Sequence, residues 1–510
     1  MIFEKMLNTQ PEMIVIHVTD TYFIEESKIN STVDIPGFAR FSSLVNLIKS
    51  NPIIQNNKIP LFVLHGGDFL FPSLMSIYFK GKQMIEILNA CGFNHCLIGN
   101  HDFDEGIKTL KTRMKEATFD ILCTNIKPSK KDNSLKFLDY IICQNKNDQP
   151  FTAIIGIAGS TTVKNAKLHG FNTFPLKSSL KNAIDSIRKI HPEINHLIVL
   201  SHMSNKEDMD LKLWLDKNWD GYLYLLGGHD HNEILQYDEK NPKSILVKGQ
   251  SNCRTVQILG LGGSKYSKID QFTKNIIVLD SNKLSKIKPD KQIQNLVTKW
   301  ELSLEKHLKE TRSNVTVKKF KKGTILDATE LQLRKGSTNF GNFVADCMLE
   351  FTKSDIVFIN SGHFRGDRKI GDTLRLSDLR RIFVLDTRDA LVKLSMTSLE
   401  CVKFLKHAYS EEGQGKILQV SKNTISILKK SNYDKKFSVV MLWNMLNTND
   451  DGFMTILAKS RKTTPKKLEL KLKKYIIPKS SLFDTIRNSA KSVQLDPQTR
   501  ISVTTFAEIF

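Results

Sequence analysis

"LIGNHDFDEG", Leu97–Gly106, closes an apolar run with an amide, an imidazole and two aspartates crowded into its last positions. An ordinary turn asks for an Asn or Asp and a Gly. It has no use for the histidine that sits between them here. Metal-ligating and proton-handling side chains at the tip of a buried strand mark a site rather than a plain connection.

Working outward from this stretch, the same ending recurs. "MIVIHVTD" delivers Asp20, "FVLHGGD" delivers Asp68, "LIVLSH" delivers His202, and "YLLGGHDH" delivers His229 and His231. These runs, with "FTAIIGIAG", are short and apolar, and they lack clean period-2 alternation. That is the pattern of strands buried on both faces. Amphipathic segments such as "ARFSSLVNLIKS", "GKQMIEILNACG" and "LKNAIDSIRKI" lie between them and read as helices. The alternation predicts an α/β fold with helices over sheets. In such folds ligands bind where the carboxyl ends of the strands fan out, so five tips of this kind meeting at one rim would build a binding site.

The chemistry of that set is specific. Carboxylate, imidazole and amide oxygen, with no cysteine among them, suit a divalent Zn, Mn, Fe or Co ion. The residues outnumber the three or four protein ligands that one catalytic metal takes. Two divalent metal ions sharing a carboxylate account for them, and such a pair clamps the attacking and leaving oxygens of a phosphoryl transfer. A lone "GGD" or "SH" is more often a turn or an ordinary histidine. Five such endings in one chain are not an accident of composition.

The bulk numbers are those of a soluble globular protein. The chain has 510 residues, 40% of them hydrophobic and 25% charged, which suggests two or three domains. No apolar run is long enough to cross a bilayer. "MIFEKMLNTQPEM" lacks the apolar core of a cleaved signal, and seven cysteines fall in no regular frame, so a cytoplasmic location is the default expectation. The net charge is +22, with lysines concentrated in "SILKKSNYDKKF" and "KSRKTTPKKLELKLKKYIIPKS". Such a surface could draw nucleic acid or another anionic surface. No aromatics alternate with the lysines as a single-strand platform requires, so a solvated face is the plainer reading. Domain boundaries are expected at 1–285, a linker helix at 286–315 around "DKQIQNLVTKWELSLEKHLKETR", and a second domain at 316–510.

Taken together, the D-x-x, GGD, GNHD, SH and GHDH motifs resemble the calcineurin-like metallophosphoesterases. With "GNHDFDEG", "FGNFVAD", "NSGHFRGD" and "NDDGF", the chain is similar to the 5′-nucleotidase family from about Met13 to Phe453. The resemblance implies a four-layer αββα metallophosphoesterase domain and a C-terminal α/β 5′-nucleotidase-type substrate domain. It implies that Asp20, Asp68 and His231 hold one ion, that Asp68, Asn100, His202 and His229 hold the other, and that Asp68 bridges. Water activated between the ions would attack phosphorus in line. His101, oriented by Asp104, would donate to the phosphoryl oxygens or leaving group. Asn360, Arg365 and Asp451 would contact substrate. The implied activity is hydrolysis of a small-molecule phosphomonoester, most simply a 5′-nucleotide, in nucleotide catabolism. Nucleotide-sugar, cyclic-nucleotide and non-nucleotide phosphates are the alternatives within this chemistry, and a catalytically idle basic binding protein is the alternative from another class.

Four positions depart from the family pattern. The first motif normally reads D-x-H, and Tyr22 stands at its third position. His363 replaces a glycine. Leu385 and Met445 occupy the places of the two phenylalanines that stack a purine, which leaves Phe383 or Phe453 as substitutes for that clamp.

Overall fold

Every residue of Met13–Val18 and of His196–His202 is buried, as strands covered on both faces must be. In the computed structural model each lies inside its own sheet. The structure describes residues 3–29, 31–129, 135–238, 241–262, 275–311, 313–384, 390–410, 413–448, 451–477, 482–496, 500–502 and 506. The chain divides into two compact units, Met1–Leu304 and Glu305–Phe510.

The first unit holds two large sheets. In one, the strands run in the order Ile276–Asp280, Thr255–Leu261, Met13–Val18, Leu61–His65, His95–Leu97, Asp120–Leu122, Phe137–Leu138. From Met13–Val18 onward the neighbours are parallel, while Thr255–Leu261 lies antiparallel beside Met13–Val18. The other sheet runs Ile234–Asp238, Asn241–Lys248, Tyr222–Gly227, His196–His202, Pro150–Ala158, Tyr140–Gln144, with its four central strands parallel. Parallel pairing matters for function, because it sends all the carboxyl ends of a sheet to one side.

Period-2 alternation decides what each strand touches. Ala153, Ile155, Ile157, Leu197, Val199, Leu223 and Leu225 pack with Leu180, Ala183, Ile184 and Ile187 of the helix Leu176–Ile190. Gly156, on the alternate face, lies directly against Leu122 of the first sheet: a Cβ there would come within 2.3 Å of the Leu122 carbonyl oxygen. The sheets therefore stack face to face with helices outside. Gly37–Lys49 buries Phe38, Phe41, Leu44, Val45 and Ile48, and the rings of Phe41 and Phe93 stack at 5.3 Å. The helix Lys291–Glu310 buries Ile293, Val297, Trp300 and Leu304, and Trp300 Nε1 donates to Glu86 at 2.9 Å.

The second unit is built on a four-stranded sheet in the order Leu391–Thr397, Lys436–Leu442, Ile356–Asn360, Leu418–Val420. The helix Asn339–Thr352 starts where the Thr338 side chain accepts from the Gly341 N–H, which caps an otherwise unsatisfied donor. It contributes Phe340, Phe343 and Val344 to the core of this unit. The lysine-rich stretch forms the helix Pro465–Leu472, with Leu468 and Leu472 inward and Lys466, Lys467 and Lys471 exposed. Among the described residues no helix is long and apolar enough to cross a membrane.

Candidate metal centre

The strand tips carry backbone that ordinary side chains avoid. Asp20, Asp68, His229 and His231 all have left-handed φ values, between 53° and 81°. Each such residue costs on the order of 1–2 kcal/mol, and strain of this kind persists where the surrounding structure holds it for a purpose. The turns also require the paired glycines. Gly67 has φ +101°, and a Cβ on it would stand 2.6 Å from His202 Nδ1.

His202 ends its strand on the face turned toward the first sheet, while Ser201 points the other way and donates to Asp208 at 2.6 Å. His202 Nδ1 donates to the Gly66 carbonyl at 2.8 Å, which leaves the Nε2 lone pair aimed inward. Nε2 forms no hydrogen bond, yet it lies 3.2 Å from Asp68 Oδ2 and 3.9 Å from Asp20 Oδ1. A lone pair facing two buried carboxylates calls for a positive charge between them. Burial opposes an imidazolium here, but Asp68 and Asp20 outweigh it and raise the His202 pKa to about 10. A proton can supply that charge, and so can a metal cation. Asp68, despite burial, is held down at about 2 by His202 and His101. Asp20 is likewise pulled well below the usual carboxylate range, against burial, by His202 and His231.

The donor set fits a divalent ion. Ligand atoms of Asp68, His202 and His229 lie within 4.8 Å of one another. The Asn100 side-chain oxygen is buried and accepts no hydrogen bond. Across the cluster, His231 Nε2 is 3.3 Å from Asp20 Oδ1. Asp20 Oδ2 accepts from Thr19 Oγ1 at 2.6 Å and from the His229 N–H at 2.9 Å. The site joins both sheets of the first unit. Beside it, the His101 N–H donates to Asp68 Oδ1 at 2.8 Å, and His101 Nδ1 pairs with Asp104 Oδ2 at 2.9 Å.

Two supporting residues carried no role in the sequence reading. Asp102, within the GNHD motif, is buried and accepts from four backbone N–H groups: Gly99 at 2.7 Å, Asp68 at 3.1 Å, and Phe69 and Leu70 at 2.9 Å. It ties the Asp68 turn to the Asn100 turn. Burial and the Asp68 charge push its pKa up to about 8, but four amide donors leave a carboxyl proton no acceptor, so the geometry suits the ionised form. Lys248 is fully buried; its Nζ donates to Asp208 at 2.6 Å and to the Met203 carbonyl at 2.9 Å, and lies 3.6 Å from Asp230. It ties together the turns that follow His202 and His229. A lysine closing an apolar strand, in "SILVKG", was the signal for it.

In the second unit, Asn360 and Asp451 meet: Asn360 Nδ2 donates to Asp451 Oδ2 at 2.7 Å. Arg365 follows on the loop after Asn360, half-buried, with its N–H donating to the Ile382 carbonyl at 2.8 Å. The substitutes for an aromatic clamp do not serve as placed. Phe453 is wholly buried against Phe404, and Phe383 is buried against Phe340 and Phe364. Met445 is buried too, and Leu385 lies outside the described residues. An aromatic next to a loop serves a core as readily as a ligand, and here the core takes both rings.

A family model described as calcineurin-like phosphoesterase matches residues 13–233, and one described as 5′-nucleotidase, C-terminal domain, matches residues 316–454. The chain is 23% identical over 454 residues to a 5′-nucleotidase of Bos taurus, covering 80% of this chain and 74% of that protein. It is 25% identical over 320 residues to a NAD 5′-nucleotidase of Haemophilus influenzae, covering 57% of this chain and 49% of that protein. In fold it is similar to a 5′-nucleotidase precursor from Thermus thermophilus, with a TM-score of 0.68 at 18% identity, covering 96% of this chain and 99% of that one. A sulfate thiohydrolase from the same organism gives 0.64 at 13% identity, covering 96% of both chains.

Proposed function

Since this chain belongs to the 5′-nucleotidase family of calcineurin-like metallophosphoesterases and is a metal-dependent phosphoric ester hydrolase, we propose that it cleaves phosphomonoesters, most simply 5′-nucleotides, at a pair of divalent cations. The observation that carries the two-cation reading is the His202 Nε2 lone pair set 3.2 Å from the Asp68 carboxylate, with His231 Nε2 lying 3.3 Å from Asp20 Oδ1 on the other side. Asp20, Asp68 and His231 would hold one ion, and Asp68, Asn100, His202 and His229 the other. When bound, such ions lower the pKa of water and offset negative charge on phosphoryl oxygens.

The remaining work falls to the chain. Asp104 accepts from His101 Nδ1, which fixes the orientation of the ring. His101 Nε2 then carries a proton for the phosphoryl oxygens or the departing alkoxide. Asp68 takes two roles, accepting from the His101 N–H with one oxygen and facing His202 with the other. In the second unit, Asn360 Oδ1 is buried without a hydrogen bond and Arg365 offers a planar fork for an oxyanion, which suits them to the polar part of a substrate.

The buried positions of Phe383, Phe453 and Met445 favour a second reading within the same chemistry: a phosphate ester whose recognition needs no stacked base. A phosphate-release panel of AMP, UDP-sugars, cyclic nucleotides and sugar phosphates, with and without Mn²⁺, separates them. Preference for AMP supports the nucleotide reading. Preference for a sugar phosphate replaces it, and no release from any member refutes both.

A further inference from the structure

We propose that Tyr22 is itself a cation ligand, and that its phenolic oxygen makes one half of the centre a site for a hard ion such as Fe(III). The inference rests on the two-cation reading and goes beyond it. Tyr22 is buried, and its hydroxyl lies 2.8 Å from His231 Nε2, 3.2 Å from Asp20 Oδ1 and 3.4 Å from Asp68 Oδ2. A phenol has one proton to donate. Two carboxylates and an imidazole nitrogen surround it, so the phenol can satisfy at most one carboxylate while the other sets its lone pairs against the phenolic oxygen. A cation among the four groups resolves that conflict.

The spacing agrees. Donor atoms held about 2.0–2.2 Å from one ion in tetrahedral or octahedral array are separated from one another by roughly 2.8–3.6 Å. The three separations from the Tyr22 oxygen fall in that range, as does the 3.3 Å between His231 Nε2 and Asp20 Oδ1. Asp68 Oδ2 is also 3.2 Å from His202 Nε2, so it borders both halves of the centre. The ring is held in place from behind. The Tyr22 N–H donates to Asn252 Oδ1 at 2.9 Å, and the Asn252 N–H donates to the Asp20 carbonyl at 2.9 Å. A core tyrosine needs one partner for its hydroxyl, and nothing in packing requires two carboxylates and an imidazole around it.

Binding replaces the phenolic O–H with an oxygen–metal bond, and the proton leaves to solvent. The substitution of phenolate for imidazole adds a hard anionic donor to two carboxylates, which shifts preference toward hard ions. The test is Fe(III) titration of metal-stripped full-length protein, read by visible absorbance and by ions bound per chain. Wild type should take up about two ions and show the intense charge-transfer band of a phenolate–Fe(III) pair. Tyr22→Phe, which removes one oxygen, should lose the band and hold its ion in this half at least about 10–100-fold more weakly. Tyr22→His should keep both ions without the band, and it serves as the working variant if Tyr22→Phe fails to fold. A band or an affinity unchanged in Tyr22→Phe overturns the role of Tyr22 and leaves the two-cation reading standing. Wild type that takes up no ion overturns both.

Discussion

Replacing Asp102 by Asn keeps the size of the side chain and exchanges one acceptor oxygen for an NH₂ group. Asp102 Oδ1 accepts from Phe69 and Leu70, and Oδ2 accepts from Gly99 and Asp68. Whichever way the amide turns, two backbone N–H donors face another donor. Hydrogen bonds to a charged acceptor are worth about 1.5–3 kcal/mol each, so Asp102→Asn should cost about 3–6 kcal/mol. That is a large share of a typical stability of about 5–15 kcal/mol. The loss falls on the two turns that present Asp68 and Asn100, so metal retention should weaken with it. Urea unfolding of the metal-free protein reads the first effect, and dialysis against Mn²⁺ followed by elemental analysis reads the second. A stability within about 0.5 kcal/mol of wild type, with metal retained, would refute the claim that this carboxylate holds the turns together.

Other perturbations separate positioning from chemistry. His101→Ala should lower kcat by about 10²–10⁴-fold with metal content unchanged, measured as phosphate release beside elemental analysis. Gly228→Ala places a Cβ 2.0 Å from Thr19 Oγ1 and 2.7 Å from Asp20 Oδ2, so it should destabilise by about 1–3 kcal/mol and weaken metal binding, seen in thermal unfolding with and without Mn²⁺. His196 is buried against Phe151 and Tyr222, and burial lowers its pKa from 6.5 to about 3. Below pH 6.5 the unfolded chain takes up a proton there that the folded chain refuses, so stability is intact above that pH and falls as pH drops toward 3. His196→Phe should flatten that fall by about 1.4 kcal/mol per pH unit, read from urea midpoints across the range.

Much of the site could be read in the sequence for one physical reason. Parallel strands buried on both faces appear as unbroken apolar runs, so the first polar residues after each run stand at the rim where ligands collect. Asp20, Asp68, Asn100, His202, His229 and His231 were visible in that way. What escaped depends on tertiary neighbours. Asp102 looks like one more turn residue until four amide donors from two separate turns are seen around it. Lys248 reads as a strand terminus, and only the fold brings Asp208 and Asp230 to its ammonium group. The antiparallel place of Thr255–Leu261 beside Met13–Val18 follows from sheet order, which local pattern does not encode. Phe383 and Phe453 were misleading because an aromatic near a loop fits a core and a base clamp equally well.

In the proposed centre Asp68 would lie between two cations. Equilibrium dialysis of chelator-stripped wild-type protein and of Asp68→Asn against Mn²⁺, with elemental analysis, tests it most directly. Wild type should bind about two ions per chain, and Asp68→Asn should bind both more weakly. Wild type that binds one ion or none, or an Asp68→Asn protein that still holds two as tightly, would contradict it.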